Sequence, residues 1–541
     1  MKKQLLILSC FLSCLLSYAQ NVNIPDANFK AYLVGNSEIN TNGDDEIQVS
    51  EASAFTGEIN VSNKGISLLW GIEYFTEITG LDCSLNSIQN LDLSTNKKLV
   101  TLKCSGFNNN GNPMGQIETL NVSQNTNLKT LICSGNKLTS LDVSTNLQLE
   151  YLDCNSNAYA IYENDNYVYF YLKNLDISKN INLKYLDCHQ NQISYLDLEN
   201  KIGLEYLDCS YNLLDELNVK NNLNLTVLDC RFNKISLLDI SFLKKLEYLN
   251  CNSNLLENLN VQNNLSLNQL FLGSNKLTEI DISKNINLIS FGFEGNYLSS
   301  IDLSKNINLT GIIFSGSLVT SFDISKNKKL ETIFAWPGDS LTSLDVSQNP
   351  SLEILVCVSC KFKNLDLSKN LNLKQLRVQF SNLEELNLTN NLKLEFFTVF
   401  NNKLKKLNIK NLKRPNYDNF WFSATDGPDL KCIDVDDVIY ANENWSKNKD
   451  SQTIYSTDCS ATLATNETQK SQTKIFPNPV KNLLNVQTEA KLQKVEIYSS
   501  NGQLIKTSFL KETNVSTLPK GNYIVKITTD KGVQTEKIIK E

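Results

Sequence analysis

Three consecutive stretches of the chain, LEYLDCSYNLLDELNVKNNLN, LTVLDCRFNKISLLDISFLKK and LEYLNCNSNLLENLNVQNNLS, are copies of one 21-residue motif, LxxLxCxxNxLxxLDLSxNxx. Its sixth position falls on Cys83, Cys104, Cys133, Cys154, Cys188, Cys209, Cys230, Cys251, Leu272, Phe293, Phe314, Ala335, Cys357, Val378 and Val399, fifteen copies over residues 78–411. A repeat this short cannot bury its own apolar edge, so copies must stack and share one continuous core. The LxxLxC segment predicts a strand of a parallel sheet, which at ~4.8 Å per coil would run for about 70 Å. The longer steps to Cys133 and Cys188 imply loops at about 107–115 and 158–171.

The period and leucine spacing resemble the leucine-rich repeat family, and more narrowly its bacterial IRREKO-type, internalin-like members. The resemblance implies a right-handed solenoid with a parallel concave sheet, of the α+β/solenoid class. Asn recurs three residues after the cysteine position, at Asn86, Asn136, Asn157, Asn191, Asn212, Asn233, Asn254, Asn275, Asn296 and Asn402. A buried amide column of this kind satisfies backbone groups where the chain leaves the strand. It fails at Ser317, Gly338, Cys360 and Ser381, so coils eleven to fourteen are expected to be the least regular. The cysteine column reads as small apolar groups, because Leu, Phe and Val replace Cys in later copies and parallel neighbours suit disulfide geometry badly.

Composition narrows the function classes. The 541 residues carry 51 Lys+Arg against 58 Asp+Glu, a net charge of −7, which disfavours nucleic acid as a partner. A single histidine, His189, rules out a multi-histidine metal site and a relay built on several imidazoles. Lys2 and Lys3, the apolar Leu5–Leu16 and the small residues before Gln20 read as a signal peptide over 1–19. Cys10 and Cys14 lie inside its apolar core, a poor place for lipidation. No later run approaches a spanning helix, so no transmembrane segment is expected.

Residues 20–77 read as an amino-terminal cap. NIPDANFKAYLVGN predicts a short helix opening with Pro25. NTNGDDEIQVSE resembles an EF-hand-like calcium loop, with Asn40, Asn42, Asp44, Glu46 and Glu51 as candidate ligands. Asp45 stands where that family has its turn glycine and Asn40 where it has the first aspartate, so a weak calcium site and a plain cap loop both remain open. No other cofactor is expected.

Residues 412–460 read as a carboxyl cap, with Cys432 and Cys459 expected to form a disulfide in an exported protein. Residues 461–474 are a polar linker. Residues 475–541 alternate apolar and polar residues between turn signals, Asn501-Gly502 and Lys520-Gly521, and predict a small β-sandwich. Pro477-Asn478-Pro479, the NGQ turn and LPKGNY resemble the type A sorting domain of type IX secretion substrates. That resemblance implies engagement with the type IX machinery, and a protein secreted from, or attached to the outer surface of, a Bacteroidetes-like bacterium.

Strand alternation places two groups outward on the sheet face, where solenoids usually bind. The first is Tyr151, Tyr185, Tyr206 and Tyr248 beside Asp153, Asp187, Asp208 and Asp229. Like charges in neighbouring strands repel, which points to a cationic ligand, a cation or sugar hydroxyls, or simply to solvated drift of the repeat. The second is Phe334, Trp336, Val356, Val358, Arg377, Phe396 and Phe400, an aromatic and arginine composition typical of protein-interface anchors unless the residues are buried locally. The regular Asp column from Asp92 to Asp366 in the LDLS half reads as architecture, through short side-chain-to-backbone bonds at turns. No nucleophile elbow, phosphate loop or metal cluster appears, so no enzymatic activity is expected. The expectation is an interaction or adhesion protein binding a protein ligand through its concave face. A surface glycan-binding module and an architectural surface protein are the alternatives.

Overall fold

The structure, a computed structural model, describes residues 20–106, 115–163, 166–316, 318–336, 341–412, 420–460 and 473–541. The signal segment and the interior of the linker lie outside these residues.

The chain divides into two units, one of residues 1–403 and 417–425, the other of residues 404–416 and 426–541. In the first, a 17-stranded parallel sheet runs from Glu58–Asn60 to Trp421–Ser423, one strand per coil. It thus extends a strand beyond the repeat at each end. Pairing is in register, Tyr185 with Tyr206 and Val227 with Tyr248, so equivalent side chains stack in columns.

In the regular three-residue strands the middle residue is buried and its neighbours point to the open face, as in Tyr206–Asp208. Coils share a core of Leu, Ile and Val, with Cys83 to Cys251 continuing it as buried free thiols. Leu272, Phe293, Phe314, Ala335, Val378 and Val399 fill the same column further on, all buried. Burial drives the Cys104 and Cys251 thiols up to about 12, so they stay protonated and behave as small apolar groups.

Asparagine amides hold the turns. In a representative coil, Asn212 Nδ2 donates to the carbonyls of Cys188 (2.9 Å) and Cys209 (3.2 Å), and its Oδ1 accepts the Ile193 N–H (2.9 Å). The residue just before this asparagine is left-handed in coil after coil, including Tyr211 and Phe232 at φ 53°. That conformation is costly for a bulky side chain, and it persists at Ser359 and Phe380, where Cys360 and Ser381 replace the asparagine. The LDLSxN asparagines, which the sequence reading did not single out, form a second column. Asn285 Nδ2, for example, donates to the Val261 and Asn264 carbonyls, both at 2.9 Å. In this column Lys201 replaces asparagine; it is buried and its Nζ has no partner. The Asp column behaves as expected, with Asp92, Asp302 and Asp366 each accepting the N–H two residues on at 2.8–2.9 Å.

Four expectations need correction. Asp26, not Pro25, starts the first helix: its Oδ1 caps Asn28 and Phe29, and α1 spans Ala27–Val34. Ala158–Glu163 and Asn166–Tyr171, expected to lie in a loop, are paired antiparallel strands. Coils thirteen and fourteen, where Cys360 and Ser381 break the asparagine column, hold the longest strands of the sheet, Ile354–Val358 and Gln375–Gln379. Asn212 takes the cysteine carbonyls out of the strand ladder in its coil; with no such amide, pairing runs on through Cys357–Val378 and Val358–Gln379. Ser317 and Gly338 lie outside the described residues. The fourth correction concerns Lys520-Gly521, taken up below.

In the second unit, Lys406–Asn408, Cys432–Asp434 and Ile454–Ser456 lie parallel, and a disulfide joins Cys432 to Cys459 with a Cα–Cα distance of 5.7 Å. Residues 473–541 form a three-stranded and a four-stranded antiparallel sheet around Val480, Leu484, Val495, Ile497, Val525 and Ile538. Asn501-Gly502 turns the hairpin between Leu492–Ser499 and Leu504–Ser508, with Gly502 at φ 83°. Lys520-Gly521 is instead a connection between the two sheets. The buried Val515 and Leu518 before it join the core, and the second hairpin turns after Thr529.

Candidate functional site on the open sheet face

The loop read as calcium-like is closed by its own hydrogen bonds. Glu51 Oε1 accepts the N–H groups of Thr41 (2.8 Å) and Asn42 (3.2 Å), and Oε2 accepts that of Gln48 (3.0 Å), which caps helix α2, Val49–Ala54. Asn40 Oδ1 is bound to Gly43 N–H, Asp44 Oδ2 to the amides of Asn42 and Gln48, and Glu46 to the Lys30 ammonium. These bonds tie the candidate side chains to one another and to the loop backbone.

The residues of the first group come together, with Asp187 and Asp229 buried in the row. Tyr151, Tyr185 and Tyr206 stack in a row, ring centroids 4.0 and 4.3 Å apart and nearly parallel. Both faces of Tyr185 are therefore covered by tyrosines. Val227 interrupts the column, and Tyr248 leans on Phe271 at 6.0 Å. Beside them Asp153, Asp187, Asp208 and Asp229 occupy successive strands in register. Burial, reinforced by the neighbouring Asp187 and Asp208 respectively, pushes Asp153 and Asp229 up to about 6. Burial also raises Asp208.

Sequence reasoning gave His189 no place in this group, yet it belongs to it. Its Nδ1 lies 2.7 Å from Asp187 Oδ1 and 3.9 Å from Asp208 Oδ2. Burial alone would lower the imidazole's pKa; the Asp187 hydrogen bond and the surrounding carboxylates outweigh it and raise it. Asn155 completes the row, its Nδ2 bridging Asp153 Oδ1 (2.7 Å) and Asp187 Oδ2 (3.1 Å).

The second group is partly reassigned. Trp336 is 58% exposed and Phe334 also reaches solvent, but Val356 and Val358 are each only 4% exposed. Val356 sits in register between Phe334 and Arg377, whose longer side chains cover it. The Arg377 guanidinium lies 4.8 Å over the Phe396 ring, and Phe396 stacks at 5.0 Å on Trp421. Phe400 instead meets Phe380 edge-on at 4.8 Å. Trp421, half exposed, was missed because it lies past the last recognisable repeat; its register with Phe396 appears only once the strand joins the sheet.

This stacked parallel sheet with a face of projecting side chains is the architecture of leucine-rich repeat solenoids, and comparison with known proteins agrees. The chain is similar to the functional domain of InlJ from Listeria monocytogenes, which includes a cysteine ladder: 26% identity, TM-score 0.59, covering 96% of this chain and 98% of that one. It shares its fold with the plant peptide hormone receptor RGFR1 in complex with RGF2, at 17% identity and TM-score 0.50, over 74% of this chain and 69% of that one. Residues 474–541 match the family described as the secretion system C-terminal sorting domain. No curated protein matches the sequence. The sorting domain marks the chain for type IX export to the extracellular or cell-surface space of a Bacteroidetes-type bacterium. Among the described residues no helix is long and apolar enough to cross a membrane.

Proposed function

We propose that this protein is an exported adhesion or interaction protein that docks a protein ligand on the open face of its parallel sheet. Phe334, Trp336, Arg377, Phe396 and Trp421 serve as anchors. The observation that carries the reading is the Arg377–Phe396–Trp421 stack, held in strand register with Trp421 half exposed. Rigid aromatic and arginine side chains on a sheet lose little entropy on binding and supply large contact area, the composition of interface hot spots. The fold and export, shared in kind with InlJ, support a role in contact with other proteins. The sandwich at 474–541 would engage the type IX machinery, the preceding segment would act as a linker, and residues 1–19 as the export signal.

Glycan binding through the tyrosine column is the weaker alternative, because sugar rings stack on aromatic faces and those of Tyr185 are taken by Tyr151 and Tyr206. The full-length protein is tested against immobilised host-cell proteins and a polysaccharide panel. A saturable protein ligand lost on Trp336→Ala or Trp421→Ala supports the reading. Glycan binding lost on Tyr185→Ala moves the site to the acidic strip, and no binding to either panel leaves an architectural role.

A further inference from the structure

We infer that Asp187, His189 and Asp208 form a binding site for one divalent transition-metal ion of the zinc class on the open sheet face. The donor set converges by construction of the repeat. Asp187 and Asp208 are register partners on adjacent strands, and His189 is two residues beyond Asp187 on the same side. The imidazole Nδ1 and one carboxylate oxygen from each aspartate all lie within 4.8 Å of one another. Nδ1 stands 2.7 Å from Asp187 Oδ1 and 3.9 Å from Asp208 Oδ2, separations that bracket the ~3.3 Å between donors around a tetrahedral ion with ligands at ~2.0–2.1 Å.

The surroundings orient these donors as outer ligands orient a metal's inner ones. Ser210 holds Asp208 Oδ1 through its N–H (2.9 Å) and hydroxyl (2.6 Å), leaving Oδ2 toward His189. Asn155 Nδ2 holds Asp187 Oδ2, and Oδ1, which also accepts the His189 backbone N–H (3.1 Å), is turned toward the imidazole. A second observation points to a missing partner. Asn155 is 6% exposed, its amide is wedged into the carboxylate row, and its Oδ1 has no hydrogen-bond partner. A buried carbonyl oxygen left unpaired is costly, and the hydration shell of a bound ion would supply its donor.

Charge argues the same way. Asp153, Asp187, Asp208 and Asp229 stand on four successive strands, and Arg231 lies against only the last of them, Nε to Asp229 Oδ2 at 3.5 Å. A 2+ ion between Asp187 and Asp208 neutralises the middle of the row. One imidazole nitrogen and two carboxylate oxygens suit zinc or its first-row neighbours, with water completing the shell. Calcium, which takes six to eight oxygens, finds too few here. An ion at Nδ1 needs that nitrogen free of its proton: a neutral ring keeps its proton on Nε2, whereas an imidazolium must release one to solvent, so binding weakens as the pH falls.

The test is titration of the full-length protein with Zn²⁺ against a competing chelator, and with Co²⁺ for its visible spectrum. One ion per chain is expected. His189→Ala and Asp208→Asn should each lower the affinity tenfold or more, while Asp92→Asn, in the turn column, leaves it unchanged. The Co²⁺ spectrum should lack thiolate charge-transfer bands, which separates this site from the cysteine column. Because the chain has one histidine, its single imidazole resonance reports directly on occupancy and should shift on Zn²⁺ addition. Circular dichroism checks that the variants fold. No uptake by the wild type, binding unaffected by both substitutions, or an imidazole resonance indifferent to Zn²⁺ would each overturn the inference. The titration uses no protein ligand, so its outcome is independent of the docking proposal.

Discussion

The acidic strip of coils four to eight and the aromatic strip of coils twelve to sixteen occupy the same face of one sheet and are built by opposite means. In the first, an asparagine in every coil closes the turn, strands are three residues long, and carboxylates stack in register. In the second, the asparagine lapses at Cys360 and Ser381, strands lengthen to five residues, and large side chains cover the small ones between them. A regular backbone lets like charges accumulate, because every coil repeats its neighbour's geometry. Where the amide is lost the strand runs on, and side-chain size rather than position decides what reaches solvent.

Breaking the asparagine column should have the largest effect. Asn212→Ala leaves the Ile193 N–H unpaired and removes one of the two amide donors on each of the Cys188 and Cys209 carbonyls, which keep those of Asn191 and Asn233, and is expected to destabilise the solenoid by about 1–3 kcal/mol. Ser381→Ala in the aromatic strip loses only the hydroxyl's bonds to Cys360 N–H and Gln379 O, both 3.0 Å, and should cost about 1 kcal/mol. Urea unfolding of the two variants compares them directly, and equal losses would deny the amides their special role.

At the level of binding, Trp421→Ala should weaken a protein ligand by about 2 kcal/mol, roughly thirtyfold, with Tyr206→Ala near neutral. Surface plasmon resonance against the captured ligand reads this, and the reverse pattern would exchange the roles of the strips.

Lys201→Asn restores an amide where the second asparagine column carries a buried, unpaired amine. Burial lowers that amine's pKa, with Asp197 and Asp176 partly opposing. A gain of about 1 kcal/mol is expected by thermal unfolding. A loss would mean that the lysine's chain packing outweighs its unpaired head.

The smallest effect is a pH slope. Asp153 and Asp229 have folded pKa values raised to about 6, so between about pH 4 and 6 the folded state holds more protons than the unfolded chain. Their contribution to stability therefore falls as pH rises through this window and is least above it. Asp187 and His189 face Asp153; Asp208, Arg231 and Tyr248 face Asp229. With chelator present, Asp153→Asn/Asp229→Asn should stabilise the protein at pH 8 and change little at pH 4. The exposed turn aspartates act oppositely. Asp92 and Asp302, held below the usual carboxylate range by the N–H groups of Ser94 and Ser304, lose their contribution only as pH falls through their lowered values. Melting curves across pH 4–8 separate the two.

The coil, its strand, the apolar role of the cysteines and the turn bonds of the Asp column were legible in sequence because each is a nearest-neighbour property repeated every 21 residues. So were the tyrosine and aspartate columns, which need only strand alternation. Periodicity says nothing where it lapses. The paired strands Ala158–Glu163 and Asn166–Tyr171, the long strands around Cys360, the burial of Val356 and Val358, and the arrival of Trp421 beside Phe396 depend on how neighbouring coils pair. The calcium-like spacing at Asn40–Glu51 was legible, but spacing does not reveal that Glu51 is bound to the backbone N–H groups of Thr41 and Gln48. His189 shows the same division. Sequence alone made it a lone histidine, and register between adjacent strands set it between two carboxylates. Local repetition is written in the chain, whereas convergence of side chains from different coils exists only after the coils have stacked.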